Sequence, residues 1–231
     1  MMDVIFISPL GWSRHVWDKV ITDERFGHKS YEVIEFLNTS FEEISVASIE
    51  KTINNFLGKL APDGLVITAS YGTAALTAFL KKQAVSLERL LVIDGLDRLP
   101  SAEELAAMFV SVEDKTYQAV ADYYEDMLSA DERGDGELLA ILAANLIKRD
   151  GAYFPSLDIK GTKAYLSLYA DLDVAKEFGA ILGQIKNLAV FSSRSVNFPH
   201  IPIREEDHLL MLKDPQQVLE KIFGVSEGPA K

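Results

Sequence analysis

The sequence predicts an α/β protein built on a mainly parallel sheet, and three observations carry the prediction. Short apolar runs of strand length alternate with amphipathic stretches of helical period along most of the chain. One of these runs, residues 65–68, reaches Ser70 and passes at once into a helical pattern of small and apolar residues. At 231 residues and 48% hydrophobic content, the chain can bury a full core as one domain.

Taken in order, residues 4–8 read as a strand and residues 13–21 as a helix. Residues 32–37 form the next strand. A long helix over 41–60 follows, with Ile44, Ile49, Ile53 and Leu57 on its buried stripe. Residues 65–68 and 90–93 are central strands with a helix between them, and residues 165–169 and 188–192 complete six. Val174, Phe178, Ile181 and Leu182 share a face of a helix that precedes the last of these strands. Asp214-Pro215 is a helix start, an N-cap aspartate followed by proline at the first helical position. Val218, Leu219, Ile222 and Phe223 make that final helix amphipathic.

Between Pro100 and Pro155 the alternation stops. Residues 102–110, 113–128 and 136–148 read as helices, with a charged break at 131–136. The expected organisation is therefore a core of residues 1–99 and 156–231, with a helical insertion over 100–155 and a flexible tail over 225–231. Neither an internal repeat nor a low-complexity segment is visible.

Composition narrows the function. Without cysteine the chain has no disulfide, thiolate nucleophile or thiolate metal site. A formal charge of −12 argues against nucleic acid or an anionic membrane as partner, and disfavours an acidic carrier protein. No apolar run approaches the roughly 20 residues of a membrane helix. The first residues lack the basic start and apolar segment of a secretion signal, so a cytoplasmic location is expected.

Ser70 is the first candidate for chemistry. A serine on a tight strand-to-helix turn stands above the sheet edge, over the N–H groups of the helix start, which is the geometry of a nucleophile elbow. Ala69 and Gly72 supply the small neighbours such a turn needs, and Thr68 stands where the G-x-S-x-G pattern has its first glycine. The competing reading is a plain helix N-cap. His208, in the loop after an extended segment and before the last helix, is the second candidate; its competing reading is a structural or solvated histidine.

Serine early, acid late and histidine last is the order of an α/β-hydrolase, and the chain resembles that superfamily over most of residues 3–224 outside the middle. His208-Leu-Leu-Met-Leu-Lys-Asp-Pro215 resembles the family's histidine loop and final helix. Val4-Ile-Phe-Ile-Ser-Pro-Leu10-Gly11-Trp12, continuing to Trp17, resembles its first strand and oxyanion loop, with Ser8-Pro9 where the family has His-Gly. Small lidded carboxylesterases, including pimeloyl-carrier-protein methyl ester esterases and MenH-like enzymes, are the nearest in pattern. The resemblance implies an α/β-hydrolase fold with a reduced sheet of about six strands and a lid over 100–155. It implies a triad of Ser70, His208 and an acid. Ala170-Asp-Leu-Asp173 resembles the family's Gly-x-x-Asp, which makes Asp173 the acid, with Asp171 and Asp94 as rivals. Each of these aspartates could instead cap the next helix. Backbone N–H groups of Leu10 and Tyr71 would form the oxyanion hole, and Trp12, Tyr71, Phe109 and Tyr123 would line the substrate pocket. The lid aromatics could equally pack the lid against the body. The implied substrate is a small carboxylic ester or thioester, cleaved without cofactor or metal. A non-catalytic binding protein of the same fold, an acyltransferase and a lyase remain as alternatives.

Overall fold

The computed structural model describes residues 1–224, and the tail expected over 225–231 lies outside them. Strand β1 (Met2–Leu10) is followed by a 3-10 turn (Arg14–Trp17) and α1 (Asp18–Ile21). Then come β2 (Tyr31–Phe36), α2 (Val46–Leu57), β3 (Leu60–Ala69), α3 (Tyr71–Lys82) and β4 (Leu87–Ile93). A long excursion carries α4 (Ala102–Met108), α5 (Val120–Met127), α6 (Gly136–Ala143), a hairpin of β5 (Leu146–Arg149) and β6 (Ala152–Pro155), α7 (Ile159–Leu168) and α8 (Val174–Ile181). The chain closes with β7 (Ile185–Ser192), β8 (Ile201–Pro202), α9 (Leu210–Lys213) and α10 (Pro215–Phe223).

Six strands pair in the order β2-β1-β3-β4-β7-β8, every pair parallel. Parallel neighbours require crossovers, and these put helices on both faces of the sheet. The inner strands are buried on both faces, and alternate residues turn to opposite cores. Ile5, Ile7, Val66, Leu90 and Val92 face α2, α3 and α8 in one core. Val4, Phe6, Leu65, Ile67, Leu91 and Ile93 face α1, α9, α10 and part of the excursion in the other. The C-terminal ends of β1, β3, β4 and β7 therefore come out along one edge.

Several expectations need correction. Residues 165–169 are not a strand; they end α7, which Asp158 caps by accepting from the Gly161 N–H at 2.6 Å. Tyr165 is fully buried there, with its hydroxyl donating to the Leu37 carbonyl at 2.7 Å. The sixth strand is instead the two-residue β8 at the sheet edge. The helix expected over 41–60 begins only after Ser45, whose side chain accepts from the Ser48 N–H. Within the excursion, 113–128 is helical only over α5, and the helix expected over 136–148 stops at Ala143. Asp150 and Gly151 both adopt positive φ, 50° and 84°, and turn the chain back as a hairpin.

Candidate active site

β3 delivers Ser70 to the edge of the sheet with φ 51° and ψ −121°, a conformation side chains strongly avoid. Its side chain makes no capping bond to α3, so the plain N-cap reading fails. Two glycines make room for this turn. A Cβ at Gly72 would lie 2.5 Å from the Ile7 carbonyl oxygen, because the start of α3 packs on the end of β1. A Cβ at Gly95 would lie 2.2 Å from the Ser70 carbonyl oxygen. The turn after β4 thus touches the serine backbone directly.

Asp94 sits on that second turn, also at positive φ (56°), and is only 3% exposed. Its carboxylate accepts from the Ser193 N–H at 3.2 Å and from the Ser193 hydroxyl at 2.8 Å. Thr73, one turn into α3, donates its hydroxyl to the Asp94 carbonyl at 2.8 Å. The elbow, the Asp94 turn and the end of β7 are in this way fixed to one another.

His208 follows a 3-10 turn (Glu205–Asp207) and precedes the buried run Leu209 to Leu212. It lines the same cavity as Ser70 and Asp94. Ser70, Asp94, Gly95, Asp97, Ser193, Arg194, Glu205, Glu206 and His208 line one open cleft of about 590 Å³. Among the described residues no hydrogen bond joins His208 to Ser70 or Asp94, which is common before a substrate draws such groups together. Of the serine, histidine and aspartate positions expected from the sequence, Ser70 and His208 meet here with Asp94.

Asp173 does not belong to this cleft. It is the N-cap of α8, accepting from the Lys176 N–H at 3.1 Å, and lines two other surface depressions. Its placement in the sequence depended on a strand at 165–169; with α7 in that position, no sheet strand carries Asp173 toward Ser70. Asp171 is exposed and pairs with Arg98 at 3.0 Å.

The substrate-pocket expectations divide. Trp12 lines an apolar chamber of about 300 Å³ next to the cleft, together with His208 and Leu209. The Tyr71 side chain is buried in the core, its hydroxyl donating to the Tyr165 carbonyl at 2.7 Å, and burial holds that hydroxyl far above its usual pKa. Tyr71 can therefore offer its backbone N–H at the first position of α3, but not its ring. Tyr123 is 6% exposed and stacks edge-on to Tyr117, while the Phe109 ring lies against Lys163. Both pack the excursion and neither lines the cleft or the apolar chamber.

The segment 8–13 is held from three sides. Gly11, at φ 78°, donates its N–H to the Phe36 carbonyl, and Ser13 donates its N–H to Asn145 Oδ1 at 2.8 Å. Ser8, where the resembled family has histidine, is fully buried and accepts from the Trp17 indole N–H at 3.0 Å. The sequence reading missed Gly95, Ser193, Arg194 and the acidic wall. The pair Asp94-Gly95 at the end of an apolar run was the signal available for the first, since that dipeptide favours positive φ.

No family model matches the sequence, and no curated protein matches it either. Solved structures do. An E-2-(acetamidomethylene)succinate hydrolase is similar with a TM-score of 0.67 at 12% identity, over 95% of this chain and 89% of that one. An esterase of M. tuberculosis gives 0.61 at 16% identity, over 98% and 86%. The thioesterase domain of the curacin biosynthetic pathway gives 0.59 at 13% identity, over 94% and 90%. At such identities the likeness establishes the architecture: the chain has the α/β-hydrolase fold. Among the described residues no helix is long and apolar enough to cross a membrane.

Proposed function

We propose that the protein is a serine hydrolase acting on a small carboxylic ester or thioester, with Ser70 as nucleophile, His208 as base and Asp94, not Asp173, as the acid. One observation carries this reading. A serine in a strained turn, with its side chain free of any capping role, shares a cleft with a histidine and a buried carboxylate.

In the reaction the Ser70 hydroxyl attacks the carbonyl carbon while His208 takes its proton. Asp94 holds the imidazole tautomer and stabilises the imidazolium. The carbonyl oxygen, now negative, is met by the Tyr71 N–H at the start of α3 and by the Leu10 N–H; loss of one such donor typically costs about 3 kcal/mol of transition-state stabilisation. Pro9 has no N–H, but neither donor belongs to it. The imidazolium protonates the leaving alcohol or thiol as the C–O or C–S bond breaks. Water, deprotonated by His208, then releases the acyl group as a carboxylic acid and restores Ser70. The excursion over 100–155 acts as the lid, and a small-molecule ester or thioester is the partner.

A fluorophosphonate probe tests the core of the proposal. Wild type should be labelled at Ser70 and should hydrolyse 4-nitrophenyl butyrate, and Ser70→Ala and His208→Ala should do neither. A folded wild type that resists labelling and matches Ser70→Ala on the ester would instead favour a binding protein of the same fold.

A further inference from the structure

Two cavities of opposite character meet at His208. On one side lies the apolar chamber, walled by Trp12, Leu128, Leu138, Leu142, Leu209 and Leu212. Of its charged members, Glu132 and Lys213 neutralise each other in an ion pair, and Glu206 stands with His208 on the boundary shared with the second cavity. On the other side lies the Ser70 cleft, whose wall carries the carboxylates of Asp94, Asp97, Glu205 and Glu206 against the single guanidinium of Arg194. That guanidinium is already committed to Asp97 at 2.6 Å and faces Glu205 at 4.0 Å. Behind the wall, Arg204 pairs with Glu206 at 2.8 Å but also with Asp207 at 2.8 Å, so the flanking loop adds one cation and one further anion. Among the described residues, three negative charges remain uncompensated around the cleft.

We propose that this division fixes both the orientation and the charge preference of the substrate: a short acyl chain enters the chamber beside Trp12, and the leaving group, neutral or cationic, occupies the acidic cleft. This rests on the serine-hydrolase reading and names its substrate class. The chamber sets the acyl length. At roughly 30 Å³ for a group the size of a water or methylene, about 300 Å³ is room for about ten carbons. The cleft sets the charge. An anionic leaving group, such as the phosphate-bearing thiol of an acyl carrier, would approach like charges with the one nearby cation of the wall already paired. A cationic one gains attraction throughout the approach. The side chains of Glu205 and Glu206 are 87% and 69% exposed, so the preference is moderate and screened by salt, roughly tenfold at low ionic strength.

Three butyrate esters of similar phenols test it: 4-trimethylammoniophenyl, 4-nitrophenyl and 4-sulfophenyl butyrate. Because the leaving groups differ in basicity, salt is the readout: the cation-to-anion ratio of kcat/KM should be about tenfold higher in about 20 mM salt than in about 0.5 M salt, with the neutral ester changing least. Glu205→Gln/Glu206→Gln should lower the low-salt ratio severalfold. A cation-to-anion ratio that salt leaves unchanged, or that rises with salt, would overturn the inference while leaving the hydrolase intact. Failure of the hydrolase itself would show differently, as no turnover of any ester and an unlabelled Ser70. Calorimetry on Ser70→Ala with phenyltrimethylammonium and benzenesulfonate then decides the charge preference alone: tighter binding of the cation supports it, and equal or reversed affinity refutes it.

Discussion

Changing Asp94 to asparagine removes one charge from the cleft while disturbing little else. The asparagine oxygen can still accept from the Ser193 N–H, now 3.2 Å from the carboxylate. The Ser193 hydroxyl, which donates to the other carboxylate oxygen at 2.8 Å, can rotate to accept from the new amide. One hydrogen bond is exchanged for a weaker one, so folding should lose less than about 1 kcal/mol. Catalysis should lose far more. An amide cannot stabilise the imidazolium and can select the wrong tautomer, an effect of about 10⁴ in kcat, or about 5 kcal/mol in the barrier. Asp173→Asn provides the contrast, because asparagine caps a helix as well as aspartate does and Asp173 caps α8. Its activity should match wild type. The assay is kcat/KM on 4-nitrophenyl butyrate beside thermal unfolding of the same samples. An Asp94→Asn protein within threefold of wild type, with a collapse in Asp173→Asn, would refute the assignment of the acid.

Gly95→Ala should cost at least about 2 kcal/mol and abolish fluorophosphonate labelling, because its Cβ would fall 2.2 Å from the Ser70 carbonyl oxygen at a φ of 82°; thermal melts and labelling read both effects. Acid should expose the Glu132–Lys213 pair. The Lys213 ammonium, followed by the Ser129 N–H, lowers the Glu132 pKa to about 2 from its ordinary 4.5. A carboxylate depressed on folding adds stability that is complete above its unfolded pKa and drains away as pH falls from about 4.5 toward 2. Glu132→Gln should therefore be less stable than wild type at pH 7 and converge on it by pH 2–3 in urea titrations.

The sheet was readable because its inner strands are covered on both faces and so appear as unbroken apolar runs; Leu65 to Ala69 are all buried. Ser70 was readable because one residue type at a strand-to-helix junction carries its own geometry. The region 161–169 misled for a local reason. Tyr165, Ser167 and Tyr169 alternate with leucines and imitate a strand, while the helical signal lay upstream in the Asp158 cap. That error is why Asp173 was expected at a strand end; it stands at a helix start. β8, two residues long, has no periodicity to detect. The hairpin of β5 and β6 did leave a signal, Asp150-Gly151, which the adjoining helical pattern of α6 obscured. The acidic cleft was illegible for a different reason. Asp97, Arg194 and Glu205 lie in separate loops, and only the pairing of β4 with β7 brings the first two side by side.

That pairing also bears on how this protein could diverge. The chain leaves β4 at Ile93 and returns to it at Ile185, so everything between is, for the sheet, one closed loop. Closing a loop grows dearer only with the logarithm of its length, by roughly 0.6 kcal/mol per doubling for a flexible chain. Helices could be added to or trimmed from its outer part, residues 102–155, with small effect on strand register, whereas α7 and α8 cover the sheet itself. What limits such change is a local knot of ties to the body, Ser13 to Asn145 and Lys213 to Glu132 among them. Descendants that keep this knot can exchange the cover, and with it the shape of the chamber, while the elbow beneath stays as it is.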